Sequence, residues 1–433
     1  MHFVLVPFGT AGDVYPYMGI GVGLRKRGHR VTVITHSQFR DLVQRFGLDY
    51  VDLNDSAGYA ETMNHADHWD PKRGFKRDAR FILHDTMRKH YTELKNLYVP
   101  GDTVVVTSHG GYGVRVAQDK LGFPLVSAHI SPFLIRSIVR PCTQPIADWV
   151  LRAMLFRFER DLYFRFVDYF LADPLLGPEL NRFRHDLGLA PVRRIVHRWI
   201  HSPQCILGLF PRWLAEPIPN DWPPVQCTGF PFFDDADAGL PLDVVKFLDS
   251  GEPPIVFTPG TGVAHARHFF EAAVAACRTL GRRGLLLTRF AEQVPPDLPD
   301  SVRHFPFLSL SQLLPRSAAL VSHGGIGTIA QGLRAGVPQL MMPMSYEQPE
   351  NARRLRALGV GLSLSPRRFR GPAVTRCLDE LLSNRNVNER CRELSARLAI
   401  DDPCAATCDH LEEFAEKIGR APPPVSSVTT ARN

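Results

Sequence analysis

The chain contains 433 residues with a mass of 48.6 kDa, and 44% of them are hydrophobic. That length predicts two or three domains, and the apolar content excludes a wholly disordered chain. No apolar run approaches the roughly 18 residues that a membrane-spanning helix needs, and the first residues lack the basic start of a secretory signal. We therefore expect a cytoplasmic protein.

Charge and cysteine usage narrow the range of partners. The chain carries 51 Lys and Arg against 44 Asp and Glu, a net charge of +7. The excess is spread out, and no compact basic block alternates with stacking aromatics, which disfavours nucleic-acid binding. The eight cysteines are scattered, and Cys404 and Cys408 with His410 supply too few ligands for structural zinc. We expect reduced thiols and no metal.

The first half of the chain alternates strand and helix patterns. An apolar strand at His2–Val6 is followed by a glycine turn at residues 9–12, helical spacing over 17–26 and a second strand at 31–34. Two more strand patterns follow, at residues 50–53 and 103–106. This repetition is typical of a doubly wound, Rossmann-like domain.

The second half repeats the pattern. Strands are predicted at residues 255–258, 285–288, 319–322 and 339–342. The segment 231–243, rich in Pro, Gly and Asp, lacks periodicity and indicates a linker. We predict an α/β protein with two Rossmann-like domains, 1–230 and 244–402, facing each other across a cleft, then a final helix at 403–420 and a disordered tail at 421–433.

Residues 134–200 interrupt the N-terminal domain. This aromatic, amphipathic, helical segment contains eleven arginines and no lysine. Such helices ordinarily pack against their own domain. A lid over a hydrophobic acceptor and contact with a membrane surface are the sharper alternatives, and the sequence leaves all three open.

A glycine-rich turn after the strand at 319–322 is the strongest candidate for chemistry. It contains His323, Gly325, Gly327 and Thr328, at the junction between a strand and a helix. Backbone N–H groups at such a helix N-terminus can receive a diphosphate, and His323 can donate a hydrogen bond to the departing oxygen. A tight turn without a ligand is the alternative.

Other segments of the second half predict the same ligand. Glu347 and Gln348 follow the next strand and combine a carboxylate with a carboxamide, which suits sugar hydroxyls without a metal. A solvated acidic loop is the alternative for this pair. Two further pairs of residues suit the phosphate and the base of a nucleotide, with a bare turn and core packing as their alternatives. These are Gly260 with Thr261, and Phe307 with Leu308.

The first half of the chain contributes a candidate carboxylate rather than a phosphate-binding turn. The turn at residues 9–12 lacks the third glycine of a dinucleotide site, and Asp13 places a carboxylate where a pyrophosphate would approach. A carboxylate at the lip of a cleft can accept the proton of an alcohol, so Asp13 is predicted to be a general base. Capping of the following helix is the alternative. His109, on the same sheet edge, is predicted to orient Asp13.

These motifs resemble the GT-B glycosyltransferases of family 1, the group that includes sterol, macrolide and glycopeptide glycosyltransferases. The resemblance covers nearly the whole chain. It is carried by GTAGDVYPYMGIGVGLRKRGHRVTVIT, by LLPRSAALVSHGGIGTIAQGLRAGVPQLMMP and by the acid–Gln pair with Asn351. The stretches HWDPK, RWIHSPQ, LGLFPRWL and DWPPVQCTGFPFFD are similar, within that family, to the rhamnosyltransferases of rhamnolipid biosynthesis.

The resemblance implies a nucleotide-sugar donor in the C-terminal domain, an acceptor in the N-terminal domain, and neither cofactor nor metal. It implies Asp13 as the base. It also implies a donor site formed by His323, Gly325 and Thr328 at the diphosphate, Glu347, Gln348 and Asn351 at the sugar, Gly260 and Thr261 at the phosphate, and Phe307 and Leu308 at the base. The family commonly has Asp in place of Glu347, so the sugar stays open.

The specific expectation is inverting transfer of L-rhamnose from dTDP-L-rhamnose to 3-(3-hydroxyalkanoyloxy)alkanoate. A peripheral contact with the inner membrane or a membrane-associated partner subunit would accompany it. Transfer of glucose or a deoxysugar to a sterol, macrolide or other hydrophobic alcohol is the alternative. An NAD-dependent oxidoreductase is disfavoured because the second strand ends in Thr35 and His36 without an acid. A nucleotide-sugar-binding protein without turnover is the third alternative.

Overall fold

The computed structural model describes residues 1–53, 65, 73–135, 137, 157–218, 221, 223–234 and 239–419. The predicted tail at 421–433 lies outside the described residues. So do residues 138–156 of the predicted insertion and residues 235–238 of the predicted linker.

Each half of the chain forms one fully parallel sheet. The first contains β1 (His2–Val6), β2 (Arg30–Thr35), β3 (Asp49–Asp52), β4 (Thr103–Thr107), β5 (Leu125–His129), β6 (Cys205–Gly208) and β7 (Gln226–Cys227). The second contains β8 (Ile255–Thr258), β9 (Gly284–Leu287), β10 (Val302–Phe305), β11 (Ala319–Ser322), β12 (Gln339–Met341) and β13 (Gly361–Ser363). The spatial orders are β3-β2-β1-β4-β5-β6-β7 and β10-β9-β8-β11-β12-β13.

These orders confirm the predicted pair of Rossmann-like domains. In each sheet the strand order reverses beside the first strand of the domain, between β1 and β4 and between β8 and β11. A crevice opens at such a reversal, outside the carboxyl ends of the strands, and ligands bind there.

Helices cover both faces of each sheet. In the first half they are α1 (Ala11–Lys26), α2 (Arg40–Arg45), α3 (Gly74–Phe81), α4 (Met87–Leu97), α5 (Tyr112–Leu121), α6 (Arg157–Val167) and α7 (Asp173–Asp186). In the second they are α8 (Leu242–Asp249), α9 (Arg267–Leu280), α10 (Leu310–Leu313), α11 (Ile326–Ala335), α12 (Gln348–Ala357), α13 (Gly371–Ser383), α14 (Arg385–Leu398) and α15 (Pro403–Gly419).

Turns of π-helix at Ile82–Thr86 and Asp168–Ala172 join α3 to α4 and α6 to α7. None of the helices in the described ranges is both long enough and apolar enough to cross a membrane.

The central strands are buried on both faces. In β1, Phe3 and Leu5 belong to one hydrophobic cluster, whereas Val4 and Val6 belong to another on the opposite side of the sheet. A strand that alternates between two apolar layers must be apolar at every position, which is why these strands read as continuous apolar runs.

The final helix, α15, returns to the N-terminal domain. A Cβ built on Gly19 of α1 would lie 3.0 Å from the Cys404 sulfur, and one built on Gly23 would lie 2.9 Å from the Cys408 sulfur. The thiols therefore fill the space that two glycines leave on the facing helix. This packing accounts for the spacing of these cysteines without a metal.

The two domains also share a core. One hydrophobic cluster joins residues of α1 and the first sheet to Ile326, Ile329 and Leu333 of α11 and to Leu411 of α15. Burial of this kind, at about 25 cal/mol per Å² of apolar surface, favours the docked arrangement of the domains.

Candidate active site

The predicted site residues meet where the carboxyl edges of the two sheets face each other. Ser322 of β11 pairs in register with Thr258 of β8, so the turns that follow these strands emerge together. In the same way Val6 of β1 pairs with Thr107 of β4, which brings together the turns after those two strands. His109 belongs to one of these turns, and Asp13 lies in the first turn of α1, directly after the other.

The His323 ring is enclosed by glycines. A Cβ built on Gly260 would lie 2.7 Å from its Cε1 atom, and a Cβ built on Gly325 would lie 2.5 Å from its Nε2 atom. Both positions must therefore lack a side chain, and Gly260 also has a φ of +103°. Burial lowers the pKa of His323 to about 4, so the ring is neutral at physiological pH. A neutral imidazole can still donate one hydrogen bond to a diphosphate oxygen.

Glu347 lies at the N-terminus of α11. Its carboxylate accepts a hydrogen bond from the backbone N–H of Ile326, the first residue of that helix. The pKa of Glu347 is raised to about 7, chiefly by burial and also by the Asp13 carboxylate, and hydrogen bonds from backbone N–H groups partly oppose both effects. Glu347 and Asp13 are therefore electrostatically coupled across the cleft, and protonated Glu347 can both donate and accept at a sugar hydroxyl.

Gln348 and Asn351 are buried and hold loops in place. The Gln348 side-chain oxygen accepts from the backbone N–H groups of Met344, at 2.8 Å, and Ser345, at 3.3 Å. Asn351 donates to the carbonyl of Gly324 at 3.0 Å, which links α12 to the glycine turn. The structure thus gives both residues a positioning contact, and a direct contact with the sugar stays a prediction.

The remaining donor candidates occupy two different environments. Thr261 is exposed beside Gly260, and Phe307 is 62% exposed just beyond the end of β10. Leu308 is 4% exposed and packs in the core beneath that strand. Phe307 can therefore offer its ring to a base, whereas Leu308 supports the turn from below.

Thr10, not Asp13, is the N-cap of α1, and Asp13 is the third residue of the helix and closes a capping box with Thr10. Its Oδ2 atom accepts a hydrogen bond from the backbone N–H of Thr10 at 2.7 Å and one from the Thr10 hydroxyl at 3.1 Å. Gly9 makes room for it, since a Cβ there would lie 2.3 Å from Oδ2, and the φ of Gly9 is +128°. Capping fixes the carboxylate at the lip of the cleft, so the structural role and the predicted role as a base are compatible.

His109 lies beside Asp13. Burial lowers the pKa of His109, and the carboxylates of Asp13 and Asp78 oppose that shift, so both carboxylates are within electrostatic reach of the ring. The Nδ1 atom of His109 is buried and has no hydrogen-bond partner among the described residues. A neutral ring in this position can orient the Asp13 carboxylate or an acceptor hydroxyl.

The two domains touch at this point. A Cβ built on Gly327, at the start of α11, would lie 3.4 Å from the Cα atom of Gly12, at the start of α1. The N-termini of two helices therefore approach each other, and their positive ends both favour negative charge in the gap. Asp78 and Tyr346 also border this gap, beside Asp13 and Glu347. No sequence pattern predicted either residue as part of the site.

A short sequence repeat could have marked the turn that contains His109 as part of the site. Residues 108–113 read Ser-His-Gly-Gly-Tyr-Gly and residues 322–327 read Ser-His-Gly-Gly-Ile-Gly. In the first copy the glycines are packed against protein atoms, because a Cβ on Gly110 would lie 2.4 Å from the Phe8 ring and one on Gly113 would lie 2.1 Å from the Met87 carbonyl oxygen. The second copy leaves more room at the two equivalent positions, since the nearest atoms to a Cβ on Gly324 and on Gly327 are 3.6 Å and 3.4 Å away.

Two further histidines, His129 and His201, lie close to His109. The Nε2 atom of His129, at the end of β5, is 2.9 Å from Nδ1 of His201, and both rings are buried. Burial lowers the pKa of His129 well below its ordinary value, with smaller effects of His201 and His109 in the same direction. Within the described ranges, no three His, Cys, Asp or Glu side chains cluster closely enough to hold a metal ion.

Comparison with known proteins agrees with this arrangement. Residues 3–138 match the glycosyltransferase family 28 N-terminal domain, and residues 287–413 match the C-terminal domain of erythromycin biosynthesis protein CIII-like proteins. The O-mycaminosyltylonolide 6-deoxyallosyltransferase of Streptomyces fradiae is 29% identical over 442 residues, covering 96% of this chain and 98% of that protein.

Solved structures show the same fold at low identity. The glycotransferase of kitacinnamycin has a TM-score of 0.75 at 18% identity, over 96% of this chain and 99% of the other. The spinosyn rhamnosyltransferase SpnG complexed with thymidine diphosphate has a TM-score of 0.66 at 17% identity, over 95% of this chain and 100% of the other. The chain thus has the GT-B fold, and the family matches support glycosyltransferase activity, the transfer of a sugar from a nucleotide sugar to an acceptor.

The raised pKa of Glu347 predicts a pH-dependent stability. Folded Glu347 holds its proton up to a pKa of about 7, against an ordinary value of 4.5 in the unfolded chain. The folded state binds more protons between these values, so stability falls as the pH rises through that window. The variant Glu347→Gln cannot ionise, so it should gain stability relative to wild type, on the order of 2 kcal/mol, between about pH 5 and pH 8.

Thermal unfolding of both proteins across that range measures the effect. Glu271→Gln, on the exposed surface of α9, is the matched control and should show a constant difference from wild type. A stability difference between Glu347→Gln and wild type that does not change with pH would contradict the raised pKa of Glu347.

Proposed function

We propose that this protein is an inverting glycosyltransferase in which Asp13 is the general base. The observation that carries the proposal is the close approach of the α1 and α11 N-termini, which brings Asp13 next to Glu347 and the glycine turn. A base on one domain thus faces a diphosphate-type turn on the other, which is the arrangement that direct transfer between two substrates requires.

The reaction is a single displacement. The acceptor hydroxyl gives its proton to the Asp13 carboxylate, and its oxygen forms a bond to the anomeric carbon of the sugar. The bond from that carbon to the diphosphate oxygen breaks on the opposite face, and the nucleoside diphosphate leaves. The N–H groups at the start of α11 and the His323 ring stabilise the charge that develops on the leaving oxygen, without any metal or cofactor.

We infer that the donor is dTDP-L-rhamnose. The nucleoside diphosphate would bind along the second sheet edge, with its diphosphate on the glycine turn and its base against Phe307. Glu347 would contact the sugar, and its near-neutral pKa favours a carboxyl group that can donate to a ring hydroxyl. The sequence stretches shared with rhamnolipid rhamnosyltransferases support the choice of sugar.

We infer that the acceptor is a hydroxy-fatty-acid ester such as 3-(3-hydroxyalkanoyloxy)alkanoate. Large apolar side chains lie exposed on α6 and the turn after it, each with more than half of its surface accessible. They are Leu162, Phe166, Tyr169, Phe170 and Leu171. The rings of Phe166 and Phe170 lie 4.6 Å apart, so these side chains form one surface, here called the α6 surface.

A soluble protein rarely exposes so many large apolar groups together without a partner. Tyr169, Asp173 and Arg193 line a cavity of about 290 Å³ at the edge of the α6 surface, so one acidic and one basic side chain border it. The exposed apolar side chains suit the acyl chains of a lipid acceptor, presented at the inner membrane surface or by a membrane-associated partner subunit.

A second function is transfer of another deoxyhexose to a hydrophobic alcohol. The similarity to the O-mycaminosyltylonolide 6-deoxyallosyltransferase along nearly the full chain favours it. The same donor turn and base would carry out that reaction, and only the acceptor surface and the sugar contacts would differ.

Replacement of Asp13 by Asn tests the base. Asn keeps an oxygen that can accept from the Thr10 N–H, so the α1 cap survives while the proton acceptor is lost. Transfer should fall by at least about a hundredfold, and the donor Kd should stay within about twofold of wild type. Steady-state turnover and calorimetric titration of the nucleoside diphosphate measure the two quantities. Wild-type turnover in Asp13→Asn would refute the assignment of Asp13 as the base. Asp13→Ala loses the capping hydrogen bonds as well as the carboxylate, so its difference from Asp13→Asn measures the effect of losing the cap.

A donor and acceptor screen tests the substrates. Purified protein is incubated without added metal with dTDP-L-rhamnose or UDP-glucose, each with a hydroxyalkanoyloxyalkanoate or a sterol, and the products are identified by mass spectrometry. A rhamnosyl lipid is the expected product. Consumption of UDP-glucose alone would overturn the choice of donor, and a glycosylated sterol would support the second function.

Changes in the α6 surface test the acceptor. The double variant Phe166→Ser, Phe170→Ser should raise the KM for the lipid acceptor about tenfold or more, because two exposed rings no longer contact its acyl chains. The donor Kd should not change. Sedimentation with anionic vesicles gives a separate readout, and wild-type KM together with wild-type vesicle binding would contradict the proposal. The exposed pair Leu242→Ser, Ile400→Ser is the matched control.

A further inference from the structure

Tyr346 has an unusual backbone conformation beside the candidate site. Its φ is +54°, and among the described residues Arg194 is the only other non-glycine residue with a positive φ. A bulky side chain in the left-handed region costs roughly 1 kcal/mol or more, so other contacts must hold it there.

A hydrogen bond across the cleft supplies such a contact. The Tyr346 hydroxyl donates to Oδ2 of Asp78 on α3 at 2.5 Å, and the two residues are 268 positions apart. Short O–H···O bonds to a carboxylate are among the stronger hydrogen bonds in proteins. Burial raises the pKa of Tyr346, and the Asp78 carboxylate raises it further, so the hydroxyl keeps its proton at every physiological pH.

Tyr346 lies next to a residue proposed to contact the donor sugar, and Asp78 lies near the residues proposed to activate the acceptor. Tyr346 directly precedes Glu347, which is coupled to Asp13. Asp78 acts electrostatically on His109, as Asp13 does. The hydrogen bond therefore connects the loop that would contact the donor sugar to the pair of residues that would activate the acceptor.

We propose that the Tyr346–Asp78 hydrogen bond is a positioning contact that sets Glu347, and hence the donor sugar, at its working distance from Asp13. This inference rests on the proposed function. Neither residue takes part in the chemistry. The hydrogen bond holds the two domains together where the sugar would bind, whereas the diphosphate and the nucleotide base would contact only α11 and the second sheet. Loss of the bond should therefore lower kcat and leave the binding of the nucleoside diphosphate unchanged.

A double-mutant cycle tests the contact. Tyr346→Phe and Asp78→Ala should each lower kcat by about tenfold or more, and the double variant should lose no more than the larger single loss. The Kd of the nucleoside diphosphate should stay within about twofold in all three. Asp78→Asn, which can still accept the bond, should recover part of the rate. Tyr50→Phe, which removes a bond from Tyr50 to Asp52 within the first domain, is the matched control and should keep wild-type kcat.

Two outcomes would overturn the proposal. One is wild-type kcat in Tyr346→Phe or in Tyr346→Gly, a variant that suits the left-handed backbone but lacks the hydroxyl. The other is a double variant whose losses multiply, since independent effects would then explain them.

Hydrogen exchange gives a readout that does not depend on activity. Amides of residues 74–81 should exchange faster in Tyr346→Phe than in wild type, while those of α9 should not change. Unchanged exchange in residues 74–81 would overturn the contact. A wild-type protein that transfers no sugar would instead refute the proposed function, so the two failures are distinguishable.

Discussion

The close approach of two helix N-termini is the constraint on which the cleft depends. Gly12 and Gly327 have no side chains, so the starts of α1 and α11 come within van der Waals distance. Both helix dipoles then direct positive potential into one gap. That potential partly offsets the burial and the repulsion from Asp13 that raise the pKa of Glu347, and it would also stabilise a diphosphate that entered between the domains. A Cβ at Gly327 would already be in van der Waals contact with Gly12, so a longer side chain directed there would push the two helix starts apart.

The gap combines this positive potential with groups that stay neutral. Burial keeps His323 and His129 uncharged, and it holds Glu347 near the point of half-protonation. A donor diphosphate would therefore meet neutral hydrogen-bond donors at the glycine turn. Donors of this kind do not have to be desolvated as full charges would, and they can respond to charge that develops late in the reaction.

Docking of the domains determines these distances. The shared hydrophobic cluster, the packing of α15 against α1 and the Tyr346–Asp78 hydrogen bond all act between elements that are far apart in the chain. Arg354, which pairs with Glu350 on the same helix, donates to the carbonyl of Leu214 at 2.8 Å, and this hydrogen bond adds a further link between the halves. The site is thus a property of the docked pair of domains and not of either sheet alone.

The sequence by itself determined the two sheets and the turns after their strands. Continuous apolar runs identified β1, β2, β4, β8 and β11, because strands buried on both faces need an apolar residue at every position. Strands such as β7, β10 and β13 are short or partly exposed and left no such pattern. The tertiary structure alone decided that Asp13 faces Glu347, that the cysteines of α15 fit against glycines, and that Tyr346 reaches Asp78. Periodicity records the burial of one element, whereas these contacts depend on how separate elements pack against one another.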